Sequence, residues 1–232
     1  MNLSRRDDAL RELMDDPACD PRLLRATLRR FGTVNRLVSG WGAVYRRHVR
    51  PVLAGLGRPA RVLDLGSGGG DVLVRLATLA RRDGLEASWL GIDPDPRALA
   101  VASERDAPAN VAFRSADAAT LRAEGEVFDL VLSSHVLHHL DAGLPGFLDD
   151  SLALAQGPVL HSDIERGRLA YALYTVGITP FAPGTFLRCD GLRSIRRSFT
   201  APELAAAAGP TGRWHVERPV PFRLLAVGDG RA

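Results

Sequence analysis

Short apolar runs alternate with amphipathic stretches from about residue 61 onward. Arg61–Leu65, Ala87–Asp93, Val111–Ser115, Phe128–Ser133 and Pro158–Ser162 read as strands. Phe128–Ser133 is nearly all apolar, as expected of a central parallel strand covered on both faces. Between them Asp71–Arg82, Pro96–Glu104, Ala118–Ala123 and Leu144–Ala155 carry apolar residues at helical spacing, with Leu73, Leu76 and Leu79 on one face of the first. Trp214–Arg218 and Arg223–Val227, split by Pro219 and Pro221, close the chain as two further strands. The alternation predicts an α/β fold: a doubly wound, seven-stranded, mostly parallel sheet with helices on both faces. Ligands of such folds bind at the carboxyl ends of the strands.

The flanks carry a different rhythm. From Asp7 to about Leu56 the spacing predicts short helices. Leu10, Leu13 and Met14 lead to a break at Asp15-Asp16-Pro17, Asp20-Pro21 caps a second helix, and Gly32, Gly40 and Gly42 punctuate the rest. Residues 1–56 are expected to form a helical cap over a domain spanning 57–232, with Trp41 and Tyr45 in the core or facing a substrate pocket. After the fifth strand Arg166–Ile178 reads as a helix. An irregular segment then runs from Pro183-Gly184 to Ser198, and Thr200-Ala201-Pro202-Glu203 restarts a helix. Residues 166–199 are the expected lid insertion.

Composition narrows the chemistry. All 30 basic residues are arginine, which removes Schiff-base lysine chemistry and the P-loop lysine. The net charge of +3 is too small, and its arginines too interspersed with acids, to predict a nucleic-acid partner. Arg193, Arg196 and Arg197 form the one local basic cluster. Cys19 and Cys189 stand alone, so neither a disulfide framework nor a cysteine metal site is indicated. No signal-peptide core and no spanning apolar run are visible, so no membrane partner and a cytoplasmic location are expected.

The first strand ends in Asp64-Leu65-Gly66-Ser67-Gly68-Gly69-Gly70-Asp71. Alternating glycines let the backbone turn sharply and approach a ligand closely, and the helix after them presents free N–H groups. A dinucleotide fingerprint would require glycine at position 71. Asp71 is a poor neighbour for a pyrophosphate and a good one for an ammonium group. The pattern Asp64-x-Gly66-x-Gly68-x-Gly70 resembles the first motif of class I S-adenosylmethionine (SAM) dependent methyltransferases, a Rossmann-like family. The resemblance spans Arg61 to Arg166 and is closest to the stand-alone enzymes of small metabolites such as quinones. It implies that Asp64, Gly66, Ser67, Gly68 and Gly70 hold the methionine end of SAM. Asp93, with Pro94, ends the second strand where an acid accepts hydrogen bonds from ribose hydroxyls. The resemblance further implies an adenine contact at Asp117 and Ala118, for which a helix cap is the bland alternative, and places Ser133 and Ser134 beside the transferring methyl. S-adenosylhomocysteine (SAH) would be the product.

The fourth strand leads into His135, His138 and His139. A histidine can take the proton of a phenol or enol as methyl transfer begins. Leu-His-Asp/His segments in small-molecule O-methyltransferases imply His138 as base, and His135 is the other candidate. His139, Asp163, Arg166, Trp41, Tyr45 and Tyr171 are expected around the acceptor, and no metal is expected, since neither carboxylate nor cysteine completes the histidine triplet. The expected reaction is O-methylation of a phenolic or enolic small molecule. Alternatives are C-methylation of a quinone or polyketide carbon, a macromolecular acceptor, or SAM binding without catalysis.

Overall fold

The computed structural model describes residues 3–209 and 212–231. Met1 and Asn2 of the expected cap lie outside the described residues, as do Pro210, Thr211 and Ala232.

Chain order is α1 (Pro21–Val38), α2 (Trp41–Val44), a π-turn (Tyr45–Val49), α3 (Arg50–Gly55), β1 (Ala60–Leu65), α4 (Asp71–Arg82), β2 (Ala87–Asp93), α5 (Pro96–Ser103), β3 (Val111–Ser115), α6 (Ala118–Ala123) and β4 (Leu130–Ser134). Then follow a 3-10 turn (Leu137–His139), α7 (Leu144–Ala153), β5 (Pro158–Ile164), α8 (Arg168–Gly177), a second 3-10 turn (Thr179–Phe181), α9 (Leu187–Arg197), α10 (Ala201–Ala207), β6 (Trp214–Glu217) and β7 (Arg223–Asp229). The seven strands form one sheet in the order β3-β2-β1-β4-β5-β7-β6. β1 to β5 pair in parallel, and β7 runs antiparallel to both β5 and β6. The mostly parallel doubly wound sheet is as the hydrophobic pattern predicts.

Strand order, not direction, reverses between β1 and β4, so a crevice opens at their carboxyl ends, the usual ligand position in such sheets. Beneath it β1 and β4 are buried almost throughout (Val62, Leu63, Leu130, Val131, Leu132), which explains their unbroken apolar sequence. The helices between strands bury one stripe each, Leu73 and Leu76 of α4 among them.

Three flanking expectations are corrected. Residues 3–20 hold turns and bends but no helix. Their backbone bonds elsewhere: Leu13 N–H and Met14 N–H donate to the Asp190 carboxylate at 2.8 and 3.0 Å. Gly32 does not interrupt α1, where its missing side chain gives room to Arg105. The segment after Pro183 is not irregular to Ser198, because α9 occupies Leu187–Arg197. A polar, arginine-rich helix with Gly191 inside gives little apolar signal. That glycine is required, since a Cβ would lie 2.0 Å from the Tyr174 hydroxyl. The Arg193/Arg196/Arg197 cluster is turned onto the N-terminal segment, Arg196 pairing with Asp7 at 2.6 Å.

Candidate active site

The glycine bend sits at the end of β1 and leads directly into α4. Gly66 has φ +70°, and a Cβ there would lie 2.7 Å from Val136 Cγ2. Gly70 has φ +75° as the N-cap of α4, and its Cβ would lie 2.4 Å from Phe113. Both the left-handed backbone and the close approach exclude side chains.

Three acids surround this bend. Asp64 is buried, and its Oδ1 has no hydrogen-bond partner among the described residues. Burial, reinforced by the charges of Asp71 and Asp93, pushes its carboxyl well above the usual range. Asp71 is also raised by burial, against the 3.0 Å hydrogen bond it accepts from Asn35 Nδ2. Asp93 accepts from the N–H groups of Gly68 and Asp95, each at 2.9 Å, which ties the bend to the end of β2. Burial raises it too, against those two bonds. Pro94 and Ser134 complete this end of a cavity of about 980 Å³. Arg105, which donates to the Gly69 carbonyl, and Arg75 offset the charge of Asp71. Among the described residues no cation faces Asp64 or Asp93, an arrangement that suits a cationic ligand bringing its own donors.

Residues 62–155 match the family model of a methyltransferase domain. A ubiquinone biosynthesis O-methyltransferase of Azorhizobium caulinodans is 34% identical over 134 residues, 56% of this chain and 49% of the relative. Over residues 62–155 the chain is similar to a methyltransferase domain. It spans about half the length of that curated relative. Solved structures share the fold of this chain. The plantazolicin methyltransferase BpumL in complex with SAH superposes with TM-score 0.59 at 13% identity, over 89% of this chain and 93% of that one. Human N-acetylserotonin methyltransferase in complex with SAM gives TM-score 0.60 at 14% identity, over 87% of this chain and 54% of that one.

At the other end of the cavity the chain assembles its histidines from the end of β4 and the turn after it, His135 directly following the strand. His135 has φ +61°, an uncommon conformation for a non-glycine residue. Its Nε2 accepts from Arg223 Nη2 at 2.8 Å, and burial beside that guanidinium holds its pKa well below the ordinary value. His138 is buried between two carboxylates. Its Nδ1 donates to Asp163 Oδ1 at 2.7 Å and its Nε2 to Glu12 Oε1 at 3.2 Å. Burial opposes its charge, but the two acids outweigh burial and push its pKa up to about 9. Asp163 also accepts the His138 backbone N–H at 2.9 Å and stays well below the usual carboxylate range: burial acts against this, and the imidazolium outweighs it. His138 thus has both ring nitrogens engaged. His135, whose Nε2 accepts from Arg223, carries its proton on Nδ1 as a neutral ring, so neither offers an acceptor a basic nitrogen in this arrangement.

The remaining sequence candidates divide. Asp64, Gly66, Ser67, Gly68, Asp93, Pro94, Ser134, His135, His138 and His139 line the cavity, whereas Gly70 stands just behind it as the cap of α4. Asp117 and Ala118 do not line it. Asp117 caps α6 through Thr120 N–H at 2.8 Å, the bland alternative. Ser133 is buried against His161 Nδ1 at 2.8 Å. Trp41 is wholly buried, and its Nε1–H donates to Ser134 Oγ at 3.0 Å, so it supports the lining without joining it. Tyr45 faces away and donates to Asp83. Arg166 is a correction: it is buried outside the cavity, bonded to the carbonyls of Leu3 and Ser198 and to Glu203. Tyr171 is absent from the lining, where Tyr174 stands instead.

Sequence reasoning misses Glu12, Asn35 and Arg223. Arg223 opens an apolar strand, a signal that could have marked it. Glu12 lies 126 residues from His138 in an irregular segment, and nothing local marks it.

Proposed function

We propose that the chain binds SAM in the β1/β4 crevice and methylates a small molecule, most plainly at a phenolic or enolic oxygen. The observation that carries the reading is the buried, unpartnered carboxyl of Asp64 flanked by Asp71 and Asp93. A cofactor bearing an ammonium and a sulfonium supplies the missing positive charge, and a diphosphate would be repelled. The similarity to a ubiquinone biosynthesis O-methyltransferase supports the same reading.

SAM supplies a methyl group on a sulfonium that departs as a neutral thioether. The chain's own residues would do the rest. The glycine bend and Asp64 would seat the amino-acid end, and Asp93 and Pro94 would lie beside the ribose. The apolar walls, including Leu28, Phe31, Leu173 and Ile178, would exclude water and orient the acceptor. The described residues carry no appended recognition module, and the walls suit an aromatic or otherwise apolar acceptor.

Methyl transfer from labelled SAM to a panel of phenolic and enolic small molecules, with products identified by mass spectrometry, tests this. An O-methyl ether is the expected product. A methylated carbon, or label on RNA or protein alone, would contradict the assignment.

A further inference from the structure

We infer that Glu12, His138 and His139 form a site for a divalent transition-metal ion of the zinc type, placed in the wall of the acceptor cavity. The inference deepens the methyl-transfer reading and rests on it only for what the ion would do.

The three side chains come from distant parts of the chain and converge. Glu12 Oε1 lies 3.2 Å from His138 Nε2 and 3.7 Å from His139 Nε2, and one ligand atom from each residue lies within 4.8 Å of the others. A tetrahedral zinc site with bonds of about 2.0–2.1 Å separates its ligand atoms by roughly 3.3 Å. The spacing observed is close to that. Two imidazoles and one carboxylate are also a recurrent three-ligand set for zinc, leaving a fourth position for water or substrate.

A second feature supports the site independently. Histidines that hold metals usually donate their other nitrogen to a carboxylate, which fixes the ring and its tautomer. His138 does so here, and His139 turns its Nδ1 to a carboxylate at ion-pair distance. His138 Nδ1 faces Asp163 Oδ1 at 2.7 Å, and His139 Nδ1 faces Asp15 Oδ2 at 3.2 Å. Both Nε2 atoms are thereby left directed at Glu12. Ser194 Oγ donates to Glu12 Oε1 at 2.6 Å and holds that carboxylate in place. The charges fit as well. Glu12, Asp15 and Asp163 bring three negative charges, against which Arg197, 3.9 Å from Asp15, and the His138 imidazolium set two positive ones. An ion bound here would displace the Nε2 proton of His138 to solvent. Nitrogen-rich ligands of this kind disfavour magnesium and calcium.

All three ligands line the cavity, so the fourth position is open to an acceptor oxygen. An acceptor hydroxyl bound there would lose its proton to solvent. The resulting oxyanion forms the O–C bond to the methyl group as the C–S bond breaks, its electron pair staying on sulfur. This would supply the activation that neither histidine offers, His138 having both ring nitrogens engaged and His135 having its Nε2 lone pair on Arg223.

The test is calorimetric titration of the full chain, stripped with chelator, using zinc sulfate alone, with cobalt(II) absorption as a second readout. One zinc per chain is expected, with a visible cobalt spectrum of low coordination number. Glu12→Gln and His139→Ala should each weaken zinc affinity at least tenfold, and Asp15→Asn about tenfold. No saturable zinc binding, or unchanged affinity in Glu12→Gln and His139→Ala, would overturn the proposal. Titration of the same samples with SAH separates the claims and checks that each variant is folded. SAH binding without zinc binding sinks only the metal site. Zinc binding that responds to the variants, without SAH binding, keeps the metal site and removes the methyl-transfer reading.

Discussion

Replacing Asp64 by Asn should stabilise the ligand-free protein while weakening its cofactor affinity. Asp64 is buried, its Oδ1 is unpartnered, and it faces two further acids, Asp71 and Asp93. Its native pKa is therefore raised above the unfolded value. Such a carboxyl contributes to stability only while protonated, and that contribution is lost as pH rises above the ordinary carboxylate range. At pH 7 the native state bears the cost of a poorly solvated charge, about 1–3 kcal/mol on mutational scales. Asn is nearly isosteric and neutral, so Asp64→Asn should raise the unfolding free energy by about that amount and the melting temperature by several degrees. The same change removes a charge-assisted hydrogen bond to the cofactor's amino group, worth about 1.5–3 kcal/mol, so SAH should bind roughly ten- to a hundredfold more weakly. Denaturant unfolding without ligand and calorimetry with SAH read the two halves. A variant that is less stable without ligand, or one that binds SAH as tightly as the parent, would refute the reasoning.

Two further outcomes follow from the fold. His161 is buried between Ser133 Oγ and Ser151 Oγ at 2.8 and 2.9 Å, and burial lowers its pKa to about 3. The unfolded chain therefore takes up the proton first, and stability falls as pH drops below about 6.5. Between pH 7 and 5 this costs about 2 kcal/mol. Urea titrations of the parent and His161→Gln should differ in pH slope by that amount, and parallel slopes would show that His161 is not buried neutral. Gly66→Ala should destabilise by at least about 1–2 kcal/mol from the left-handed backbone alone. Adding Val136→Ala should relieve the 2.7 Å contact but not the backbone part, and an unaffected Gly66→Ala protein would contradict the bend geometry.

The sheet and the cofactor end of the cavity were legible because their information is local. Asp64 to Asp71 are contiguous, and the buried strands announce themselves as apolar runs. The acceptor end was legible only in part, since its decisive contacts join segments far apart. Residues 3–20 show a helical spacing of Leu10, Leu13 and Met14, yet Asp190 and the surfaces of α9 and the Leu137–His139 turn take their backbone donors and side chains. Arg6 illustrates this, with bonds to His138 O at 2.9 Å and Asp141 Oδ1 at 2.8 Å. Tertiary partners outweighed propensity there. The three histidines were visible as chemistry, but their state was not. His138 owes its proton to Glu12 and Asp163, and His135 owes its neutrality to burial and Arg223. Arg166 looked like a rim residue because it follows β5, while its guanidinium turns back to bind Leu3, Ser198 and Glu203.

The central claim is that the acid-flanked glycine bend accepts a positively charged amino-acid nucleoside. Isothermal titration of the full chain with SAH, and separately with NAD, tests it most directly. Saturable one-to-one SAH binding with no heat from NAD is the result predicted. Tight NAD binding, or no SAH binding by the folded protein, would contradict it.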